Sequence, residues 1–245
     1  MDKMFQNCIS LTSLNLDNFI GKNVGSISYM FLDCHNLKYL DLSNFEAKPD
    51  NMNYVFQNCY SLEELKIPKL ICEDAIYPIN IFENCYSLKS LDLSGFTMVS
   101  AVTMQSLFKN CYSLTSINLS NFKTNNLVSM LSMFENCGQL KSLDLSHFIT
   151  SSVTEMSNLF NNCSSLENLK LNFDTEKVQK MDYMFGSCTN LNSLNITSFN
   201  TNNCQSFNNM FENDEGLILY IDSRLCPNLK NKIPDFVNVN DINQL

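Results

Sequence analysis

Cysteine is the residue type in this chain best able to do chemistry, and there are eleven. Eight of them, Cys8, Cys34, Cys59, Cys85, Cys111, Cys137, Cys163 and Cys188, follow one another at intervals of 26, 25, 26, 26, 26, 26 and 25 residues. Two chemistries would use such a set. Zinc needs ligands converging on a tetrahedron, commonly from Cys-x-x-Cys pairs; the chain has no such pair, and a straight column of thiols is not tetrahedral. Disulfides need Cα atoms about 4.4–6.8 Å apart. Coils stacked at roughly 5 Å would meet that distance. The eight side chains would nevertheless point in parallel, inward beside Phe and Leu, and free cysteine packs as a small hydrophobe. The expectation is eleven free thiols on titration of the denatured, unreduced protein. Cys72, Cys204 and Cys226 fall outside the column and are the places to look for a reactive thiol.

Other catalytic groups are sparse. The two histidines, His35 and His147, lie in different repeats at variable positions, where a solvent-facing role is expected. Six glycines form no phosphate-cradling loop. Asp92 and Asp144 sit two repeats apart, and a solvated charged face accounts for them. The chain is therefore expected to be neither enzyme nor metalloprotein, and no cofactor is expected.

The cysteine spacing is more informative as architecture. Nine copies of one motif run from Met4-Phe5-Gln6-Asn7-Cys8 to Met210-Phe211-Glu212-Asn213-Asp214. A fixed period of this size marks a solenoid. After Cys85 come Leu88, Leu91, Leu93 and Phe96, and the same offsets recur after Cys111 and Cys137. The alternation at Leu91 and Leu93 is strand periodicity. Val153, Met156, Phe160 and Cys163 have helical spacing and predict a short helix or 3₁₀ segment in each coil. Asn84, Asn110, Asn136 and Asn162 precede the cysteines. They read either as left-handed helix ends or as a buried asparagine ladder bonding the backbone of the next coil. The fold class is thus an α/β solenoid of about nine coils, each with a short parallel strand and a short helical segment. At about 4.8 Å per strand the rod is roughly 40–45 Å long. Residues 1–222 are expected to form the array. Residues 223–245, where the repeat is lost, are expected to form a C-terminal cap or tail. Pro68, Leu70 and the stretch Cys72 to Pro78 predict an irregular third coil.

The elements Phe-x-Asn-Cys-x-Ser-Leu-x-Ser-Leu-Asp-Leu-Ser-x-Phe, as in Phe82 to Phe96 and Phe134 to Phe148, resemble the BspA-like leucine-rich repeats, a 26-residue bacterial surface protein repeat. The resemblance runs from about Met4 to Phe211. It implies a leucine-rich-repeat solenoid that binds other proteins, such as host matrix or cell-surface proteins, in an adhesin-like or surface-antigen role. By that resemblance the location is the cell surface or outside. The chain itself shows no basic-then-apolar leader and no anchor, so a cytoplasmic scaffold, or a fragment of a longer precursor, is the alternative. An added domain outside this chain is a third class.

Composition narrows the partners. The net charge is −9, and arginine accounts for one of the sixteen basic residues. Nucleic acid and anionic membranes need clustered positive charge, so neither is expected. No apolar run reaches the roughly 20 residues of a membrane span. A protein ligand remains, and an uncapped first coil predicts end-to-end self-association. Its docking face is expected on the outward strand residues, which form two columns. Tyr39, Glu64, Ser90, Ser116 and Ser142 stand in one, and Asp41, Lys66, Asp92, Asn118 and Asp144 in the other. Beside them Tyr60, Tyr86 and Tyr112 share one offset in three successive coils. That column reads either as a binding patch or as a staple between coils.

Overall fold

The computed structural model describes residues 1–16, 18–67, 70, 72 and 74–243. They form a parallel β-solenoid of about eight turns. The strands are β1 (Ser13–Leu14), β2 (Tyr39–Asp41), β3 (Glu64–Lys66), β4 (Ser90–Asp92), β5 (Ser116–Asn118), β6 (Ser142–Asp144), β7 (Asn168–Lys170), β8 (Ser193–Asn195) and β9 (Ile218–Ile221). They are followed by a one-turn helix α1 (Pro227–Lys230) and a last strand β10 (Asn238–Asp241). All pairings are parallel and keep the repeat in register, with Leu40 opposite Leu65, Leu91 opposite Ile117 and Leu143 opposite Leu169. The pairing falls into four groups, β1-β2-β3, β4-β5, β6-β7 and β8-β9-β10. In each full strand the middle residue turns inward and its two neighbours outward, as the period of two dictates.

The expected helical segment does not form. Among the described residues the sole α-helix is α1, and the coil opposite the strands is a ribbon of turns. Its backbone bonding shows why. In the fifth coil Ser106, Phe108 and Asn110 donate their N–H groups to Leu131, Met133 and Glu135 of the next coil at 2.8–2.9 Å. The intervening residues close turns inside the coil, Lys109 to Ser106 and Cys111 to Phe108. A helix would keep every N–H on its own carbonyls four residues back; here alternate groups face the neighbour. Two residues four apart also carry positive φ in each coil, such as Ser106 at 51° and Asn110 at 62°. Left-handed residues break a right-handed helix. The 3-4-3 apolar spacing therefore reports inward-facing turn positions and not a helix face. Class α/β is accordingly corrected to an essentially all-β solenoid.

The recurrent asparagines hold the left-handed conformation read from the sequence, though without a helix to terminate, and their ladder is not the buried, backbone-bonding one expected. Ten of the eighteen non-glycine positive-φ residues are asparagine, the side chain that best tolerates that conformation. Their side chains also bond one another. Asn84 Nδ2 donates to Asn58 Oδ1, Asn110 to Asn84, Asn136 to Asn110 and Asn162 to Asn136, at 2.6–2.8 Å. The ladder is amide to amide, not amide to backbone. Replacing Asn110 by alanine removes two rungs, worth about 1 kcal/mol each, and places a Cβ residue in the left-handed well at about 1–2 kcal/mol. The expected loss is about 2–4 kcal/mol by urea unfolding. Asn110→Gly keeps the backbone conformation at no steric cost and should recover part of it.

All eleven cysteines are free. The column has a function that its spacing alone does not reveal. Seven thiols, from Cys34 to Cys188, donate to the carbonyl of the preceding coil's motif phenylalanine, as Cys111 Sγ does to Phe82 O at 3.2 Å and Cys137 Sγ to Phe108 O at 3.3 Å. That carbonyl also accepts the N–H of its own cysteine. A thiol is small and apolar enough for the core yet supplies one donor. Cys72 and Cys226 prove as buried as the column, and burial pushes their thiols up to about 12 and about 11. The half-buried pair is Cys8 and Cys204.

Inward of the thiols, nine phenylalanines from Phe5 to Phe211 stack ring on ring at 5.2–5.8 Å. Leucines from the strands and methionines from the turns complete one continuous core. In the third coil Leu70 and Cys72 are buried, bonded through Thr97 to the coil below, and Ile76 and Tyr77 are exposed; Pro68 and Glu73 lie outside the described residues. At the far end β10 pairs with β9, and Leu229 and Val237 join the core.

Candidate protein-interaction surface

Paired strand groups and alternate groups of the ribbon bond to the neighbouring coil, and the intervening ribbon groups close turns within a coil. On the sheet the outward residues form the two expected columns. Tyr39, Glu64, Ser90, Ser116 and Ser142 are exposed in the first, with Lys66, Asp92, Asn118 and Asp144 in the second; Asp41 is half-buried. Charges along the second column pair between coils: Lys66 with Asp41 at 3.4 Å and Lys170 with Asp144 at 3.6 Å. Lys66 also lies 5.7 Å from the Tyr39 ring centre. Over β5, β6 and β7 the face forms an open groove of about 790 Å³, floored by Ser142 and Asp144 and edged by Asn118, His147, Asn168 and Lys170.

The acids of this face have a local structural task as well. Asp41, Asp92 and Asp144 accept the backbone N–H of Ser43, Ser94 and Ser146 at 2.9–3.0 Å, closing the turn after each strand. Asn118 and Asn195 do the same for Ser120 and Thr197. Such side-chain turns suit Asp and Asn. Hydrogen bonds from Ser43 hold the Asp41 carboxyl down at about 2; Ser94 and Ser146 lower Asp92 and Asp144. These carboxylates stay ionised acceptors near neutrality and are no proton donors for catalysis. The Asp-x-Ser spacing carried this signal in the sequence.

Tyr60, Tyr86 and Tyr112 do come together, and their rings stack. Tyr60 and Tyr86 lie 4.8 Å apart at 15°, and Tyr86 and Tyr112 5.2 Å apart at 43°. The column has a fourth member, His35, stacked 4.6 Å from Tyr60; its place one residue after Cys34 was the available sign. Tyr86→Ala removes two ring contacts, each worth about 0.5–1.5 kcal/mol. A fall of about 1–3 kcal/mol in unfolding free energy is expected, larger than that for Tyr112→Ala, which loses one. Among the described residues no group of three His, Cys, Asp or Glu could hold a metal, and no helix is long and apolar enough to cross a membrane.

A family model described as Mycoplasma protein of unknown function, DUF285, matches residues 78–172 and 133–244, more than half of the chain. A second, the BspA type leucine-rich repeat region in six copies, matches residues 1–101. The chain is a BspA-type leucine-rich-repeat protein of the DUF285 family. No curated protein matches it. Two crystal structures are similar. One is the leucine-rich-repeat protein of T. pallidum, at 16% identity over 97% of this chain and 79% of that one, with a TM-score of 0.33. The other is a leucine-rich-repeat protein from Eubacterium ventriosum, at 11% identity over 88% of this chain and 79% of that one, with a TM-score of 0.35. Superpositions this loose add nothing to the family matches. BspA-type repeats are in general protein-interaction modules and typically not enzymes.

Proposed function

We propose that this BspA-type chain is a non-enzymatic protein-binding module, adhesin-like or surface-antigen-like, that docks its ligand on the outward sheet face and the adjoining Tyr60–Tyr86–Tyr112 column. The observation that carries the reading is the groove over β5–β7. There the outward side chains of three successive coils stand side by side, across the junction where the β4-β5 pair gives way to the β6-β7 pair. Its small hydroxyls and amides, with Asp144 and Lys170, suit a polar protein surface. Tyr39, Asp41, Glu64, Lys66, Ser90 and Asp92 extend the face toward the N-terminal coils. In this reading residues 1–222 are the binding array and 223–245 its cap.

A photo-reactive residue at Ser116 or Ser142 tests the docking face, with Val99 and Lys123 as exposed controls elsewhere on the coils. Adducts with host cell-surface or matrix protein are expected from the two sheet positions alone. Equal adducts from all four positions would overturn the docking face. Protease treatment of intact source cells tests display: a chain cleaved while cytosolic markers survive supports the adhesin-like role, and a chain protected until lysis overturns it.

A further inference from the structure

The aromatic column stops abruptly. One residue after each motif cysteine stand Ile9, His35, Tyr60, Tyr86 and Tyr112, and then Gly138, Ser164 and Thr189. Tyr60 and Tyr86 each have a ring on both faces, whereas Tyr112, at the C-terminal end of the column, has a ring on one side only. It tilts to 43° and is 44% exposed. Where the next ring would lie there is glycine. A Cβ built on Gly138 would meet nothing nearer than Ser164 Oγ at 3.7 Å. A slot one coil deep is thus left between the Tyr112 ring face and Ser164.

The groups around the slot accept hydrogen bonds. The Gly138 carbonyl receives a long contact of 3.4 Å from Ser164 Oγ. Asn136 stands to Gly138 as Asn110 stands to Tyr112, whose hydroxyl donates to Asn110 Oδ1 at 3.4 Å; Asn136 Oδ1 accepts from Asn162 Nδ2 at 2.8 Å. Asn162 is exposed. The chain as a whole carries a net charge of −9. A flat aromatic wall, acceptors at the rim and a negative protein select one side chain. The guanidinium is planar, stacks on aromatic faces, presents five donors and is always charged.

The geometry points to the slot between Tyr112 and Ser164, over Gly138, as a receptor site for an arginine side chain of the protein ligand, which completes the aromatic column as its fifth member. This deepens the protein-binding reading above and rests on it. The slot defines an anchor residue of the partner, and the sheet groove a polar surface beside it.

The test is an NMR titration of the isotope-labelled full chain with N-acetyl-arginine amide, and with the neutral isostere N-acetyl-citrulline amide. Saturable shifts are expected at the Tyr112 ring and at Gly138 and Ser164, with the citrulline compound at least about fivefold weaker. Gly138→Tyr fills the slot with the chain's own ring. Gly138 does not need a left-handed backbone, so the variant should fold and lose the arginine shifts. Gly138→Ala, which leaves most of the slot open, should keep them. Shifts that are absent, that survive Gly138→Tyr, or that are equal for citrulline would overturn the proposal. Gly138→Tyr leaves the sheet face intact. Continued cross-linking from Ser116 and Ser142 alongside absent arginine shifts would therefore sink the slot alone, whereas loss of sheet cross-linking speaks to the broader reading.

Discussion

Phe134→Ala lowers the unfolding free energy by about 3–5 kcal/mol, the range for deleting a fully buried phenylalanine. The ring is inaccessible to solvent and stacks on Phe108 at 5.4 Å and Phe160 at 5.8 Å. At about 2–4 °C per kcal/mol for a chain of this size, the melting temperature falls by roughly 10 °C. Position matters as much as burial. In a solenoid each coil contacts only its neighbours, so stability is nearly a sum of coil and interface contributions. A gap at Phe134 weakens two interfaces in the middle of the array and uncouples its halves. Unfolding should then lose two-state character, with calorimetric and van't Hoff enthalpies diverging. Phe5→Ala strikes a half-buried ring stacked on Phe31 alone; its effect should be about half as large and the transition should stay cooperative. Equal losses at the two sites, with unchanged cooperativity, would show that the stack does not transmit stability coil by coil.

How far the sequence speaks for itself follows from which forces act within one coil and which act between coils. The period, the inward leucines and the two outward columns were legible because strand alternation is a property of a few consecutive residues. Ser90–Asp92 and Ser142–Asp144 lie where the pattern puts them. The turn ribbon was not legible. Val153, Met156, Phe160 and Cys163 face inward at helical spacing, yet the hydrogen bonds that decide between helix and ribbon run to another coil some 26 residues away, as from Phe108 to Met133. Local spacing cannot distinguish an N–H bonded up its own helix from one bonded across to a neighbour. The asparagines were the clue: two left-handed residues per coil are incompatible with a helix, and one of the two positions was visible as Asn84, Asn110, Asn136 and Asn162. The cysteines show the same division. That nine of the eleven are buried, all with free thiols, follows from their apolar company. That seven of the thiols bond a phenylalanine carbonyl follows only from the stacking register. At the candidate surface, exposure of Asp92 and Asp144 was legible from alternation, while their grip on the Ser94 and Ser146 amides required the turn.

The last copy of the motif supplies the second large effect. Asp214 stands where the other coils have cysteine, and it is 2% exposed. Neither carboxyl oxygen has a well-formed hydrogen-bond partner among the described residues. By the repeat register the group nearest its role is the Phe185 carbonyl, an acceptor, which a protonated acid can bond as the thiols do and an ionised one cannot. Burial pushes the Asp214 carboxyl up to about 7, with the Cys188 backbone pulling the other way. The charged groups on the flanking elements are exposed: Glu212 and Glu215 on its own turn, and Lys232 and Asp235 on the segment between α1 and β10. The native chain therefore holds this proton more tightly than the unfolded chain, whose carboxyl keeps its ordinary value of 3.8. The stabilisation is present in full below that ordinary value, falls as pH rises, and is gone above about 7. Over that window the linkage amounts to about 2–4 kcal/mol. Asp41, held down at about 2, acts in the opposite sense and at lower pH, so the contribution is best read as a difference between variants. Wild type minus Asp214→Asn, melted at closely spaced pH values, should decline from acid to neutral and then level off. Asp214→Cys restores the thiol column and should melt higher than wild type at pH 8 by roughly 5–10 °C, with no such slope. Parallel curves for wild type and both variants would mean that Asp214 is ionised throughout and has found a partner in solution.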